Sequence, residues 1–164
     1  MNNININKVH SSKSDDFNTP IELWKKLSEV LNNDGIDLRG KKILDPFYND
    51  GSAKQLLQEL FKDSEIIHED KDYFNTVYEY DILISNLPFS KLRSVFKKLF
   101  KDDKPFIVLV PLASLSRKYM QSHIKDVNIV LLKNIKWEGF KHNLPVQLIF
   151  LCYKIDLKTK VINY

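Results

Sequence analysis

Residues 80–112 read YDILISNLPFSKLRSVFKKLFKDDKPFIVLVPL, and this stretch decides the fold class. Residues 80–85 and residues 106–112 are two apolar runs of strand length. Between them, residues 90–100 carry apolar side chains at helical spacing, namely Leu92, Val95, Phe96, Leu99 and Phe100. Continuous apolar strands that are separated by a helix predict a parallel sheet with both faces covered.

The same order of strand and helix precedes this stretch. Residues 42–45 and residues 65–69 are shorter apolar runs that predict two further strands. Between them, Ser52 and Gln55 have the spacing of a capping box, and the helix that follows is expected to bury Leu56, Leu57, Leu60 and Phe61. A second strand, helix and strand unit is therefore predicted.

A first helix is predicted from Thr19 to Asn32 or Asn33. Thr19 is expected to cap this helix, with Pro20 at its first position and Glu22 three residues after the cap. Its apolar face holds Leu23, Leu27, Val30 and Leu31. Residues 1–15 are polar without an apolar period, so we expect them to be mobile and residues 16–164 to form one domain.

The end of the chain has a different pattern. Residues 127–135 and residues 146–155 are two predicted strands with no helix between them, which indicates an antiparallel hairpin. The predicted fold is therefore a three-layer α/β sheet that is mostly parallel and ends in an antiparallel hairpin.

Composition limits the class of protein. The chain has 164 residues, of which 43% are hydrophobic and 28% charged, as in one ordinary globular domain. Neither a membrane-spanning run nor the order of a signal peptide is present, so we expect a soluble intracellular protein. The single cysteine, Cys152, lies in an apolar run, which predicts a buried and inert thiol. A net charge of +4 suits a polyanionic partner without being diagnostic of one.

In open α/β sheets, ligands bind beyond the carboxyl ends of the strands. The first such exit is residues 45–52, DPFYNDGS, where Asp45 could accept hydrogen bonds from a ligand. Gly51 would let the backbone pass close to that ligand. The alternative interpretation is an ordinary turn between a strand and a helix.

The second exit is residues 66–74, IIHEDKDYF, which places three carboxylates after an apolar strand. Acidic side chains at this position can bind ribose hydroxyls, although a solvated charged turn has the same pattern. His68 alternates with apolar neighbours, so we expect it to be structural.

The third exit is residues 85–90, SNLPFS, directly after an apolar strand. The side-chain oxygen of Asn86 and the backbone carbonyl of Leu87 could each accept one hydrogen of an adenine amino group. Pro88 would stiffen the loop, and Phe89 would offer an aromatic face to an unstacked base. These four residues are the predicted catalytic set.

With these motifs in place, the chain resembles the adenine-specific amino-methyltransferases of the Rossmann-like class I fold, especially the compact viral and phage-type members. The resemblance covers most of residues 11–112. It is carried by residues 13–20 (KSDDFNTP), residues 45–47 (DPF) with Gly51, residues 68–74 (HEDKDYF) and residues 86–90 (NLPFS).

The resemblance implies S-adenosylmethionine as cofactor, adenine in DNA or RNA as substrate with DNA favoured, and no metal. If the protein is viral, the resemblance also implies that it is located in the cytoplasm or nucleus of the host cell. For the methionine end of the cofactor it implies Thr19, Pro20, Asp45, Phe47 and Gly51. For the ribose it implies Glu69 or Asp70, and for the adenine of the cofactor Asp72 and Phe74.

Two features depart from the family pattern. The family has two prolines in its last motif, whereas here the first of them is Leu87. The form with one proline and an aromatic also occurs in ribosomal-RNA adenine dimethyltransferases, which makes RNA a candidate substrate. The loop before Gly51 is poor in glycine.

Nucleic-acid contacts are predicted mainly in residues 133–142, where lysines alternate with aromatic residues. The predicted residues there are Lys133, Lys136, Trp137, Phe140 and Lys141, with His142 beside them. Lys91, Arg117 and Lys118 are further candidates. The alternative is that the two aromatic side chains belong to the core.

Two rival functions remain at this stage. A catalytically inactive subunit with the same fold could bind nucleic acid and support a partner enzyme. An enzyme that methylates a protein glutamine amide could use the same motif. A protein partner or a homodimer is compatible with either function.

Overall fold

The computed structural model describes residues 19–134 and residues 146–163. In chain order its elements are α1 (Ile21–Asn33), β1 (Lys42–Leu44), α2 (Ala53–Leu60), β2 (Glu65–Ile67), β3 (Ile82–Asn86), α3 (Leu92–Asp102), β4 (Phe106–Pro111), α4 (Lys118–Gln121), β5 (Val127–Lys133), β6 (Leu148–Tyr153) and β7 (Val161–Asn163). Short 3-10 turns cover Phe89–Lys91 and Leu112–Ser116.

The seven strands form one sheet in the order β2-β1-β3-β4-β6-β5-β7. The pairs β1–β2, β1–β3 and β3–β4 are parallel, whereas β6 is antiparallel to both β4 and β5. This arrangement confirms the predicted α/β class with its antiparallel end. After β2 the chain crosses to the other side of β1, so the switch in strand order lies between β1 and β3. Ligands of open α/β sheets bind at such a point.

Apolar packing covers both faces of the sheet. Leu23 and Leu27 of α1 and Leu57 of α2 are fully buried against one face. On the other face, α3 buries Val95 and Phe96. Strands β4 and β6 are buried along almost their whole length, as their continuous apolar sequences predict.

The helix starts differ from the predictions. Helix α1 begins at Ile21, and Pro20 occupies the cap position without a side-chain cap bond, so Thr19 is not the cap. The predicted capping box at Ser52 is also wrong, because Ser52 Oγ donates to Asp50 Oδ1 at 2.6 Å. The side chain of Gln55 instead donates to Glu59 at 3.0 Å. At this helix start, the side chain of Asp50 accepts the backbone N–H of Ser52 and forms a turn in place of the predicted cap.

The described strands are also shorter than predicted, and β7 was not predicted at all.

No helix within residues 19–134 and 146–163 is long and apolar enough to cross a bilayer. Cys152 is fully buried in β6, and this burial raises the pKa of its thiol to about 12. The prediction of a buried thiol is confirmed.

Candidate active site

The first two strands and β3 end at one edge of the sheet. Leu44 of β1 pairs with Ile67 on one side and with Leu83 on the other. Because parallel strands point the same way, the side chains that follow these residues come close together. The structure thus brings together the three exits that the sequence indicates.

A buried polar cluster joins these exits. Asp45 is only 4% exposed, and its Oδ1 accepts a hydrogen bond of 2.5 Å from Ser85 Oγ. On the other side, His68 Nδ1 lies 3.2 Å from Asp45 Oδ2 and 2.9 Å from the Asp45 carbonyl oxygen. The carboxylate of Asp45, which follows β1, therefore contacts His68 after β2 and Ser85 near the end of β3.

The charge state of His68 is set by two opposing effects. Burial of its ring disfavours the imidazolium, but the carboxylate of Asp45, helped by the carbonyl groups of Asp45 and Tyr48, outweighs burial and raises the pKa of His68. Both acceptors on Asp45 face Nδ1, so this atom carries the proton in the neutral ring. Among the described residues, the buried Nε2 atom has no hydrogen-bond partner.

Tyr48 covers this cluster from the first loop. Its ring stacks on the ring of His68, with centroids 5.1 Å apart and planes inclined by 22°. Gly51 has a φ of 80°, and a Cβ added there would lie 2.6 Å from the hydroxyl oxygen of Tyr48. The left-handed backbone favours glycine here, and a larger residue would have to displace the end of the tyrosine ring.

The predicted ribose and adenine contacts lie in a turn after β2. Asp72 Oδ1 accepts the backbone N–H of Phe74 at 2.9 Å, and its Oδ2 accepts the side chain of Asn75 at 2.5 Å. Glu69 forms an ion pair of 2.8 Å with Lys71, whereas Asp70 is exposed. The Asp72 carboxylate therefore shapes the backbone of this turn.

Aromatic side chains connect the first two exits. The ring of Phe47 meets the edge of Tyr73, with centroids 5.3 Å apart, and Tyr73 lies 5.5 Å from Phe74. Tyr73 is 2% exposed, whereas Phe74 is 39% exposed at the surface of the turn. Phe47 and Phe74 thus flank a buried tyrosine, and burial raises the pKa of its hydroxyl.

The third exit continues directly from β3, whose last residue is Asn86. The side chain of Leu87 is 2% exposed and packs in the apolar cluster under α3. The backbone of Pro88 is extended, with a φ of −66°, and its carbonyl accepts the N–H of Lys91 at 3.0 Å. Phe89 is half-buried and packs against the cluster on the opposite face.

Most of the other predicted residues that the structure describes lie at helix starts. Thr19 and Pro20 are half-buried just before α1. The cations of the predicted nucleic-acid set that the structure describes are exposed: Lys91, Arg117, Lys118 and Lys133. Lys136, Trp137, Phe140, Lys141 and His142 lie outside the described residues.

Sequence reasoning missed the roles of Ser85 and Tyr48, and it took His68 as structural without identifying its partner. The available signal was a polar residue at the end of an apolar strand, which occurs at Asp45, His68 and Ser85. In the part of the chain that the structure describes, no group of three or more acidic, histidine or cysteine side chains is arranged to hold a metal ion.

No protein-family model and no curated protein matches the sequence. PH1948 from Pyrococcus horikoshii, described as an RNA methyltransferase, matches the structure with a TM-score of 0.53 and 15% identity, over 89% of this chain and 88% of that one. The 23S rRNA methyltransferase ErmE matches with a TM-score of 0.50 and 9% identity, over 79% and 67% of the two chains.

A third solved structure is that of phosphoethanolamine N-methyltransferase 2 from Haemonchus contortus in complex with S-adenosyl-L-methionine. Its TM-score is 0.50 at 13% identity, and the match covers 83% of this chain and 38% of that one. Together with the strand order, these likenesses show that the chain has the Rossmann-like fold of class I methyltransferases.

Proposed function

We propose that this protein is an S-adenosylmethionine-dependent methyltransferase that modifies the exocyclic amino group of adenine in a nucleic acid. One observation carries the proposal. The motif of residues 86–89 leaves β3 next to the buried cluster of Asp45, at the switch point of a class I methyltransferase sheet. The two groups that would accept the hydrogens of an amino group would thus lie beside the polar ends of β1 and β3.

The residues at this edge are compatible with the cofactor. Gly51 allows close backbone approach, the buried Nε2 atom of His68 can exchange a hydrogen bond with a ligand, and Phe47 and Phe74 offer apolar surface. The bound cofactor would supply a methyl group on a positively charged sulfur. The Haemonchus contortus enzyme, which shares the fold, was solved with this cofactor.

The chain's own part in the reaction is positioning. The side-chain oxygen of Asn86 and the backbone carbonyl of Leu87 would each accept one amino hydrogen of the base, which directs the nitrogen lone pair away from the ring. In the turn after the motif, the N–H of Lys91 donates to the carbonyl of Pro88 at 3.0 Å. A strong general base is not needed at Asn86, because the amine becomes acidic only as it is methylated.

The nucleic acid in question is DNA or RNA with an unpaired or flipped adenine. The single proline of the motif supports RNA, as do the RNA methyltransferases among the proteins of similar fold. Single- and double-stranded forms of both nucleic acids should therefore be assayed.

The test measures cofactor binding and methyl transfer separately for Asn86→Ala. We expect its turnover on adenine-containing oligonucleotides to fall by about 100-fold or more, the usual effect of removing one group that stabilises a transition state. Cofactor affinity, measured by isothermal titration calorimetry, should stay close to that of the wild type. Asn32→Ala, at an exposed position near the end of α1, is the matched control. Unchanged turnover in Asn86→Ala would remove this residue from the chemistry.

One observation favours the second candidate, a non-catalytic subunit of the same fold. The ring of Tyr48 lies over Gly51, at the position implied for the methionine end of the cofactor. If the tyrosine moves aside, Tyr48→Ala should bind S-adenosylmethionine at least as tightly as the wild type. If neither protein binds the cofactor, the subunit function is the better explanation.

A further inference from the structure

Charge is divided unevenly between the two halves of the described chain. Residues 82–134 contain ten lysines and arginines but only three acidic residues. Residues 19–81 contain eight lysines and arginines and fourteen acidic residues. The first range includes α3 and α4, and the second includes α1 and α2, which cover the opposite face of the sheet. The face formed by α3 and α4 is therefore the basic one.

On α3 the cations form a line. Arg93, Lys97 and Lys101 follow one another at intervals of four residues, so they lie on one side of the helix, and all three are exposed. We call them the α3 basic row. None of the three forms an ion pair with a described residue.

The acidic residues nearest to the row are already engaged. Asp102 pairs with Lys98 at 3.1 Å, and Asp103 pairs with Lys154 at 2.7 Å. The first turn of α3 has no acidic residue and contains Arg93 as its second residue, although a helix amino terminus favours negative charge. This placement is unfavourable for the helix alone, and an anionic partner would compensate for it.

Helix α4 extends the basic face. The ring of Tyr119 stacks on Phe96 of α3, with centroids 5.9 Å apart and planes inclined by 22°. This contact holds α4 against α3, and it brings the exposed Arg117 and Lys118 to the same face.

We propose that the α3 basic row, extended by Arg117 and Lys118, binds the phosphate backbone of the nucleic acid whose adenine enters the site. This inference rests on the proposed function. Helix α3 begins directly after the turn of Phe89–Lys91, so the row leads away from the base-holding motif. From Arg93 to Lys101 the row spans about 12 Å, which corresponds to roughly three or four stacked nucleotides.

The test compares two triple variants with the same change in net charge. Arg93→Gln/Lys97→Gln/Lys101→Gln neutralises the row. Lys41→Gln/Lys54→Gln/Lys62→Gln neutralises three exposed lysines, which lie just before β1, on α2 and just after α2. Affinity for a fluorescein-labelled 20-nucleotide single strand of DNA or RNA is measured by fluorescence anisotropy at several salt concentrations.

We expect the row variant to bind on the order of tenfold more weakly and with a shallower salt dependence, because fewer counterions are released. The control variant should bind like the wild type. Equal affinity of the row variant and the wild type, or an equal loss in both variants, would overturn the inference.

A methyl-transfer assay on the same proteins and strands separates this inference from the proposed function. A wild type that binds the strand through the row but transfers no methyl group supports the binding surface and contradicts the enzyme. A wild type that transfers methyl groups but loses no strand affinity in the row variant supports the enzyme and overturns the surface.

Discussion

At the scale of single residues, Asp45 differs most from its expected role. The sequence indicates a carboxylate that is open to a ligand, but in the structure it is buried, accepts a hydrogen bond from Ser85 and lies 3.2 Å from Nδ1 of His68. A buried carboxylate is costly unless such donors satisfy it. Asp45 therefore fixes the strand ends, and among the described residues the buried Nε2 atom of His68 has no hydrogen-bond partner.

This cluster predicts a pH dependence of stability that belongs to His68. Since the folded protein raises the pKa of His68 above its usual value of 6.5, the folded state holds the proton more tightly. The resulting stabilisation is complete below pH 6.5 and is lost as the pH rises through the folded pKa. We expect the free energy of unfolding in urea to fall between pH 6 and pH 8.

His68→Asn keeps a side-chain donor near Asp45 and removes the titration. Its free energy of unfolding should vary less over this pH range than that of the wild type. His123→Asn is the control, because His123 stacks on Phe100 and not on the cluster. If His68→Asn retains the full pH dependence of the wild type, the link between His68 and Asp45 is not responsible.

Leu87 illustrates how a departure from a family motif can be compatible with the fold. Its side chain is buried in the cluster under α3, and its N–H points to the carbonyl of Leu109 at 3.4 Å. A proline here would lose both the packing and the N–H donor. The carbonyl that the proposed reaction needs is present with either residue.

At the scale of elements, the buried strands could be predicted because burial on both faces leaves a continuous apolar sequence. This holds for β3, β4 and β6. The capping box at Ser52 was wrong because Asp50, two residues earlier, accepts both the N–H and the hydroxyl of Ser52. Local spacing alone does not decide between two such hydrogen bonds.

Strand β7 could not be predicted for a different reason. It has three residues, and only Ile162 is buried. It pairs in parallel with β5, and just before it the carboxylate of Asp34 accepts the N–H of Thr159 at 2.8 Å and its hydroxyl at 3.0 Å. No local pattern encodes a partner at that separation.

This contact predicts the behaviour of Asp34→Ala. The amide of Leu131 donates to the carbonyl of Lys160 at 2.8 Å, where β5 meets the chain just before β7. We expect Asp34→Ala to speed hydrogen exchange of this amide by about tenfold or more, since the edge would open locally. Exchange of the Leu83 amide, which donates to Pro105 in the centre of the sheet, should not change.

Asp37→Ala is the matched control for this experiment, because Asp37 pairs only with Arg39 in its own loop among the described residues. It should leave exchange at Leu131 as in the wild type. Uniform acceleration at Leu131 and Leu83 would instead indicate global destabilisation and contradict a local role for Asp34.

At the scale of the whole molecule, the basic face has a cost that the fold itself does not require. Arg93, Lys97 and Lys101 form two like-charge pairs at four-residue spacing, each of which destabilises a helix by about 0.2–0.5 kcal/mol. Arg93 also lies at the end of α3 where a cation is disfavoured by about 0.3–1 kcal/mol. A sequence optimised for stability alone would place neutral or acidic residues there.

We therefore expect Arg93→Gln/Lys97→Gln to stabilise the protein by about 1 kcal/mol in urea denaturation at low salt, while it weakens binding to a nucleic-acid strand. The stability gain should shrink in 0.5 M salt, because the Debye length at that ionic strength is only about 4 Å. Lys54→Gln/Lys62→Gln is the control, because neither lysine has a cation four residues away. A row variant that is less stable than the wild type would mean that these cations serve the fold. Opposite effects on stability and on binding would mean that they are kept for the partner.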